Sequence, residues 1–380
     1  MSVKNIVEQI FFELLRAGLW ERGARLTTIN NDDFRELSRL SEEQSATGLI
    51  AAGIEHVVGV KLCKENVLQL VGQALQIEQS NISMNTFIGD LVTKMQEKGI
   101  RTLLVKGQGV AQCYERPLWR ACGDIDFLLD ARNFEKAKSF LLPLAQEVEN
   151  ESKYAKHLGM TIDGWVVELH GSLRCGLSKR IDKVLDDIQN DSCNKGNTRV
   201  WKNGEVDVLL PAVNNDVLFV FTHFLNHFYK EGVGVRQICD WCRLLWTYSD
   251  KLDVDLLESR LRRMGLISEW KAFGAFAVDY LGLAQDAMPL YDNSKKWKRK
   301  ALLIESFVLE VGNFGHNRDF SYYNKYPFFI RKAISVSHRL RDVLRHARLF
   351  PVDSIRFFHN MIWVGLQNAS IKNANEILKA

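Results

Sequence analysis

Along residues 1–98 apolar side chains recur at every third or fourth position: Ile6, Ile10, Leu14 and Leu15, then again Val67, Leu70 and Ala74. That spacing places them on one face of a helix, with polar residues covering the other. Asn31-Asp32-Asp33 before FRELSRL, and Ser41 with Glu42 and Glu43 before the next apolar run, are residue types that cap helix N-termini. Four or five helices are expected, the last ending near Lys98-Gly99.

The period then changes. Residues 101–105 form a short apolar run, cut off by Lys106-Gly107-Gln108-Gly109, with a short helix expected from about Val110 to Glu115. Asp124-Ile-Asp-Phe-Leu-Leu129 alternates as a half-buried strand does, and a helix is expected around Asn133 to Leu142. Asp163-Gly164 and Asn203-Gly204 sit between alternating runs and signal hairpins. The first joins His157–Ile162 to Trp165–His170, and the second joins Thr198–Trp201 to Glu205–Leu210. From Pro211 helical spacing returns, most clearly in VLFVFTHFLNHFY, CDWCRLLWTY and IRKAISVSHRLRDVLRHARLF.

The expected class is therefore α+β: a small mixed β-sheet core at 99–210 between an N-terminal helical region at 1–98 and a C-terminal helical domain at 211–380. Composition agrees, with 46% apolar and 25% charged residues in 380 and only six prolines. No apolar stretch approaches the ~18 residues of a membrane span. Glu8 and Glu13 interrupt the first apolar run, which reads as an amphipathic helix rather than a signal peptide. Seven scattered cysteines read as free thiols in a reducing compartment, so the expected location is the cytoplasm. Charge is uneven: 10 basic against 13 acidic residues in 1–98, balance in 99–210, and 24 against 17 in 211–380. A basic C-terminal half would suit a polyanionic ligand, although an excess of this size is also ordinary on a surface.

The chemistry lies in the middle. On a strand residues i and i+2 share a face, so Asp124 and Asp126 project together while Ile125 and Phe127 point away. Two such carboxylates repel unless a cation lies between them, and Mg²⁺ suits oxygen ligands of this kind. The same alternation puts Glu168 and His170 of Val167-Glu168-Leu169-His170 on one face. If that strand lies beside the first, three carboxylates can hold two metal ions for in-line transfer. Lys106, Gly107 and Gln108 follow a strand and open a helix, where backbone N–H groups can meet phosphate. The turn lacks the GK[ST] of a Walker loop.

These residues resemble the DNA polymerase β-like nucleotidyltransferase superfamily, in which a glycine turn is followed by Asp-x-Asp and a third acid on a later strand. More narrowly they resemble an uncharacterised bacterial nucleotidyltransferase family marked by Lys106-Gly107, Arg120 ahead of Gly123-Asp124-Ile125-Asp126, and Val167-Glu168-Leu169-His170. Segments 223–241 and 312–316 resemble the versions in Bacteroidetes members. The resemblance implies Asp124, Asp126 and Glu168 as catalytic metal ligands for Mg²⁺ or Mn²⁺. It implies an NTP donor, transfer of NMP to a hydroxyl or phosphate acceptor (small molecule, peptide or RNA), and release of pyrophosphate. The superfamily turn carries Gly-Ser or Gly-Gly; here Gly107-Gln108 stands there, with Lys106 as the candidate to take over the phosphate contact.

Other residues have two readings each. Arg120 either neutralises triphosphate or pairs with one of the aspartates. His157 and His170 either position an acceptor or support the acids structurally. His223 and His227, at i and i+4, have zinc-like spacing but no evident third ligand, which favours histidines of an aromatic-rich core. Arg236 and Asp240 read as a helix ion pair, or Arg236 reaches toward nucleotide. Cys239 and Cys242 form a lone CxxC without the second pair zinc would want. Lys295–Lys300 either touches nucleic acid or, by default, is an exposed basic helix end. A PD-(D/E)xK nuclease would need Glu-x-Lys, and the strand reads Glu168-Leu169-His170. The remaining alternatives are a non-catalytic nucleotide-binding or assembly protein on the same fold, and a toxin-like transferase acting on tRNA or protein.

Overall fold

The computed structural model describes residues 6–26, 29–60, 62–151, 156–230, 232–313 and 343–360. The first part holds α1 (Ile6–Trp20), β1 (Ala24–Arg25), α2 (Asn31–Glu43), α3 (Thr47–Glu55), β2 (Val57–Val58) and α4 (Lys64–Glu97). Helical spacing and the end of the last helix agree with the sequence pattern; the caps do not. Asn30 caps α2: its side chain accepts from Asp33 N while the Asp33 side chain accepts from Asn30 N, a reciprocal capping box. Ser41 caps nothing. It is buried inside α2, with its hydroxyl donating to Leu37 O at 2.6 Å, the local backbone bond that competes with capping.

The centre holds β3 (Leu103–Val105), α5 (Gly107–Ala111), β4 (Asp124–Leu128), α6 (Ala131–Leu141), β5 (Glu147–Val148), β6 (His157–Ile162), β7 (Trp165–His170), α7 (Lys179–Cys193), β8 (Thr198–Asn203) and β9 (Val206–Pro211). Five strands form one mixed sheet in the order β3-β4-β7-β6-β5, and β8 with β9 forms a separate hairpin. α5 begins at Gly107, three residues before the expected start, because Lys106 already accepts the first helical bond from Val110 N. α7 is absent from the sequence expectations, although Ser178 caps it and Ile181, Val184, Leu185 and Ile188 form its buried stripe.

Asp163 and Gly164 both have positive φ, 50° and 80°, as a two-residue primed turn requires. The second hairpin departs by one position. Asn203 pairs with Val206, so Gly204-Glu205 makes the turn; the first strand runs two residues further than the spacing suggested and the second is shifted by one.

The last part holds α8 (Val213–Lys230), α9 (Val235–Thr247), α10 (Val254–Met264), α11 (Ile267–Asp279) and α12 (Lys295–Val311), with further helix at 343–349 and 351–360. Residues 330–342 of the third helical segment, and 314–316 of the 312–316 motif, lie outside the described residues. One face of the sheet, with Ile125, Phe127, Val167 and Leu169, packs with Ile88, Leu91 and Met95 of α4 and Phe134 of α6. A larger cluster joins α1 and α3 to α8, α9 and α11. In it Phe221 and Phe224 meet Trp241, and Phe221 also meets Trp270. Full burial of each such side chain contributes about 1.5–3 kcal/mol. Among the described residues no helix is long and apolar enough to cross a membrane.

Candidate active site

β4 and β7 run parallel, with Asp126 opposite Glu168 and Asp124 opposite Val166. Their apolar residues point into the α4–α6 side, which turns Asp124, Asp126 and Glu168 to the other face. Ligand oxygens of the three carboxylates lie within 4.8 Å of one another. β3 brings the fourth member: Val105 pairs with Asp126, and the next residue, Lys106, places Nζ 2.8 Å from Asp126 Oδ1. Lys106 has φ 58° and ψ −146°. A non-glycine residue in that region carries strain of about 1–3 kcal/mol, a feature that clusters at functional sites.

Two histidines close the ring. His170 Nε2 lies 2.7 Å from Asp126 Oδ1 and 3.3 Å from Glu168 Oε2, and His157 Nε2 lies 3.0 Å from that same Oε2. The electrostatics follow from crowding. The Asp126 charge, then burial, pushes the Asp124 carboxyl up, against Lys106. Burial alone would raise Glu168, but hydrogen bonds from His157 and His170 hold it well below the usual carboxylate range. Burial opposes the charge on His170, and its bonds to Asp126 and Glu168 outweigh that and raise it. Lys106 behaves alike: burial lowers it, and Asp126, Asp124 and Glu168 raise it further.

A divalent cation fits this donor set. Asp126 Oδ2 is buried without a hydrogen-bond partner, a costly state for a carboxylate oxygen. Three carboxylates face one ammonium and two imidazoles, so negative charge is left uncompensated while either ring is neutral.

The phosphate-binding candidates are placed unevenly. Lys106, Gly107, Asp124 and Asp126 line one recess of about 40 Å³ together with Arg120 and Arg236. The Gln108 side chain is buried away from it, donating to Asn81 Oδ1 at 2.6 Å. Arg120 pairs with neither Asp124 nor Asp126. Its Nε and Nη2 each reach Asp240 at 2.8 Å, and Asp240 also accepts from Tyr114 at 2.7 Å and Arg236 at 3.1 Å. The Arg236–Asp240 helix pair thus forms as spacing suggested, and Arg236 still leaves a buried Nε without a partner beside the recess. Asn81 is a structural contributor that the sequence reading passed over. From α4 it donates to Leu118 O and Arg120 O, pinning the loop that enters β4.

A second cavity, about 290 Å³, adjoins the recess, sharing Lys106, Asp124 and His223 with it, and is lined also by Glu168, His157, His170, Ser172 and Arg174. His227 lines it too, with its Nε2 atom 3.1 Å from that of His223. Burial first, then the Lys106 and His227 charges, lowers His223 well below the usual range. A larger cavity of about 650 Å³ lies between α1 and α11–α12. Among the described residues it gathers no cluster of three potential ligands, so size alone does not mark it as the site. Cys239 and Cys242 are fully buried free thiols, raised by burial, which suits packing rather than chemistry. Lys295 opens α12, whose Lys296 and Lys300 lie over the Trp297 ring.

A family model described as "Uncharacterised nucleotidyltransferase" matches residues 30–281. No curated protein and no solved structure matches the chain.

Proposed function

We propose that this chain, which belongs to the uncharacterised nucleotidyltransferase family, is a metal-dependent enzyme that moves NMP from an NTP to a hydroxyl or phosphate acceptor. One observation carries the reading: Asp124, Asp126 and Glu168 converge within 4.8 Å on neighbouring parallel strands. The order of strand, glycine turn, Asp-x-Asp strand and acid-bearing strand supports a place in the DNA polymerase β-like superfamily. Residues 99–210 are read as the catalytic unit, with the helical regions as its walls. The free thiols favour a cytoplasmic setting.

Mg²⁺ or Mn²⁺ held by Asp124, Asp126 and Glu168 would supply positive charge to the phosphates and acidity to the acceptor. The chain's own groups divide the rest. Lys106 and Gly107 meet the triphosphate from the recess, and Arg236 turns its unpartnered Nε toward it. Arg120 acts through Asp240, holding Arg236 and the loop into β4 in place. Glu168, kept ionised by His157 and His170, faces the 290 Å³ cavity where the acceptor binds.

The test is incubation of purified protein with each α-labelled NTP, Mg²⁺ or Mn²⁺, and a cell extract. Label transfer is expected with the wild type and should fall at least about 100-fold in Asp124→Asn and Asp126→Asn. Equal labelling by those variants would remove the acids from the reaction. The Lys106–Asp126 ion pair supports a second reading, a nucleotide-binding protein without turnover. Saturable NTP binding with no transfer to any extract fraction would favour it.

A further inference from the structure

We propose that His157, Glu168 and His170 form a second cation site, on the acceptor side of the acid cluster, that takes a zinc-like divalent transition metal. The proposal deepens the reading above and rests on it for its role, though not for the existence of the site.

The geometry of the donors is the argument. His157 and His170 stand directly opposite each other on antiparallel β6 and β7, so both rings project from the same face of the sheet. Their centroids are 4.8 Å apart. Both Nε2 atoms aim at a single oxygen, Glu168 Oε2, at 3.0 Å and 3.3 Å, and the three donors lie within 4.8 Å of one another. Around a metal with bonds of about 2.0–2.1 Å, neighbouring ligand atoms sit roughly 3.0–3.4 Å apart. The observed separations already match one edge length of such a shell.

Two imidazoles spend their donors on one carboxylate oxygen, and His170 divides its bond with Asp126. A cation at the meeting point would use all three groups at once. Donor type separates this site from its neighbour. The Asp124–Asp126–Glu168 set is all oxygen and suits Mg²⁺, whereas two imidazoles with one carboxylate suit zinc and its close relatives. His157 is about a quarter exposed, and the 290 Å³ cavity leaves an entry path with room for water or acceptor ligands. Glu168 is common to both sets, so the two ions would share a bridging carboxylate, as paired catalytic metals do.

The experiment uses the full chain with Mg²⁺ in excess and one equivalent of Co²⁺ as a spectroscopic stand-in for zinc. Paramagnetically shifted imidazole N–H resonances, one from each ring, are expected in the proton spectrum. One should vanish in His157→Gln and the other in His170→Gln. Zinc affinity, read by competition with a chromophoric chelator, should fall more than about 100-fold in either variant, beyond the roughly 10- to 100-fold that loss of an outer hydrogen-bond partner costs. Absence of shifted resonances in the wild type would overturn the site, and that measurement requires no variant to fold. Zinc binding by His157→Gln within about threefold of wild type would overturn it too. Asp124→Asn separates the two readings: it should lose label transfer yet keep both resonances. If wild type transfers label in Mg²⁺ but shows no imidazole signals, only the second site fails. If the signals appear and no label moves, only the transferase reading fails.

Discussion

Among single residues Asp126 carries the most. It is nearly inaccessible, yet one oxygen takes both Lys106 and His170 while the other has no partner. Binding of Mg²⁺ to the folded form should therefore stabilise the protein, by about 2.7 kcal/mol at 100 times the dissociation constant. Thermal melting should show that gain for the wild type, and an equal gain in Asp126→Asn would contradict the assignment. That the two aspartates share a face followed from strand alternation alone. The partner of Arg120 did not: Asp240 lies 120 residues away, and nothing local in either segment pairs them. Removing that partner should be costly. Asp240→Ala leaves the buried Arg120 guanidinium uncompensated, at an expected cost of about 3–5 kcal/mol in urea unfolding. A loss under about 1 kcal/mol would mean that Arg120 finds solvent or another acid.

Elements follow the sequence wherever their signal is local. The Asp163-Gly164 turn, the four early helices and the acid-bearing strand all formed as their periods implied. The Asn203-Gly204 turn slipped by one, because glycine serves as well at the first turn position as at the second once the strand pairing is set. How closely elements approach is a different matter. A Cβ on Gly18 would lie 1.9 Å from Leu49 O, and one on Gly53 would lie 2.0 Å from Leu14 O. α1 and α3 thus touch backbone to backbone through two glycines that look unremarkable in the chain. Gly53→Ala should destabilise by at least about 1–3 kcal/mol, since neither backbone can retreat. Gly72→Ala, in α4 with open space around it, should instead stabilise by about 0.4–1 kcal/mol. Chemical denaturation of the pair checks both signs, and similar effects from the two would refute the close contact.

At the scale of the whole molecule, helices from the two ends of the chain share one core, and Phe12 of α1 packs on Phe276 and Tyr280. That core contains a carboxyl. Glu269 is fully buried on α11 with Tyr229 Oη 3.2 Å away, and burial, then the Asp353 charge, pushes it up to about 8. The folded state therefore holds a proton that the unfolded chain releases near 4.5. Stability from this group is full below pH 4.5 and declines as pH rises toward 8, by up to about 1.4 kcal/mol per unit. Glu269→Gln should flatten that slope and gain stability over wild type at pH 8. Urea unfolding at pH 5, 6.5 and 8 tests it, and parallel curves for the two proteins would rule the protonated carboxyl out. What the sequence determined alone was everything set within a few residues: helical and strand periods, the class of fold, a shared face for Asp124 and Asp126, and another for Glu168 and His170. Strand pairing and core packing decided the remainder. They set Asp126 opposite Glu168, brought His157 and Lys106 onto the acids, turned Gln108 inward and joined Arg120 to Asp240. Those contacts link residues 11 to 120 positions apart, and their energies depend on which surfaces meet, a quantity that no local pattern carries.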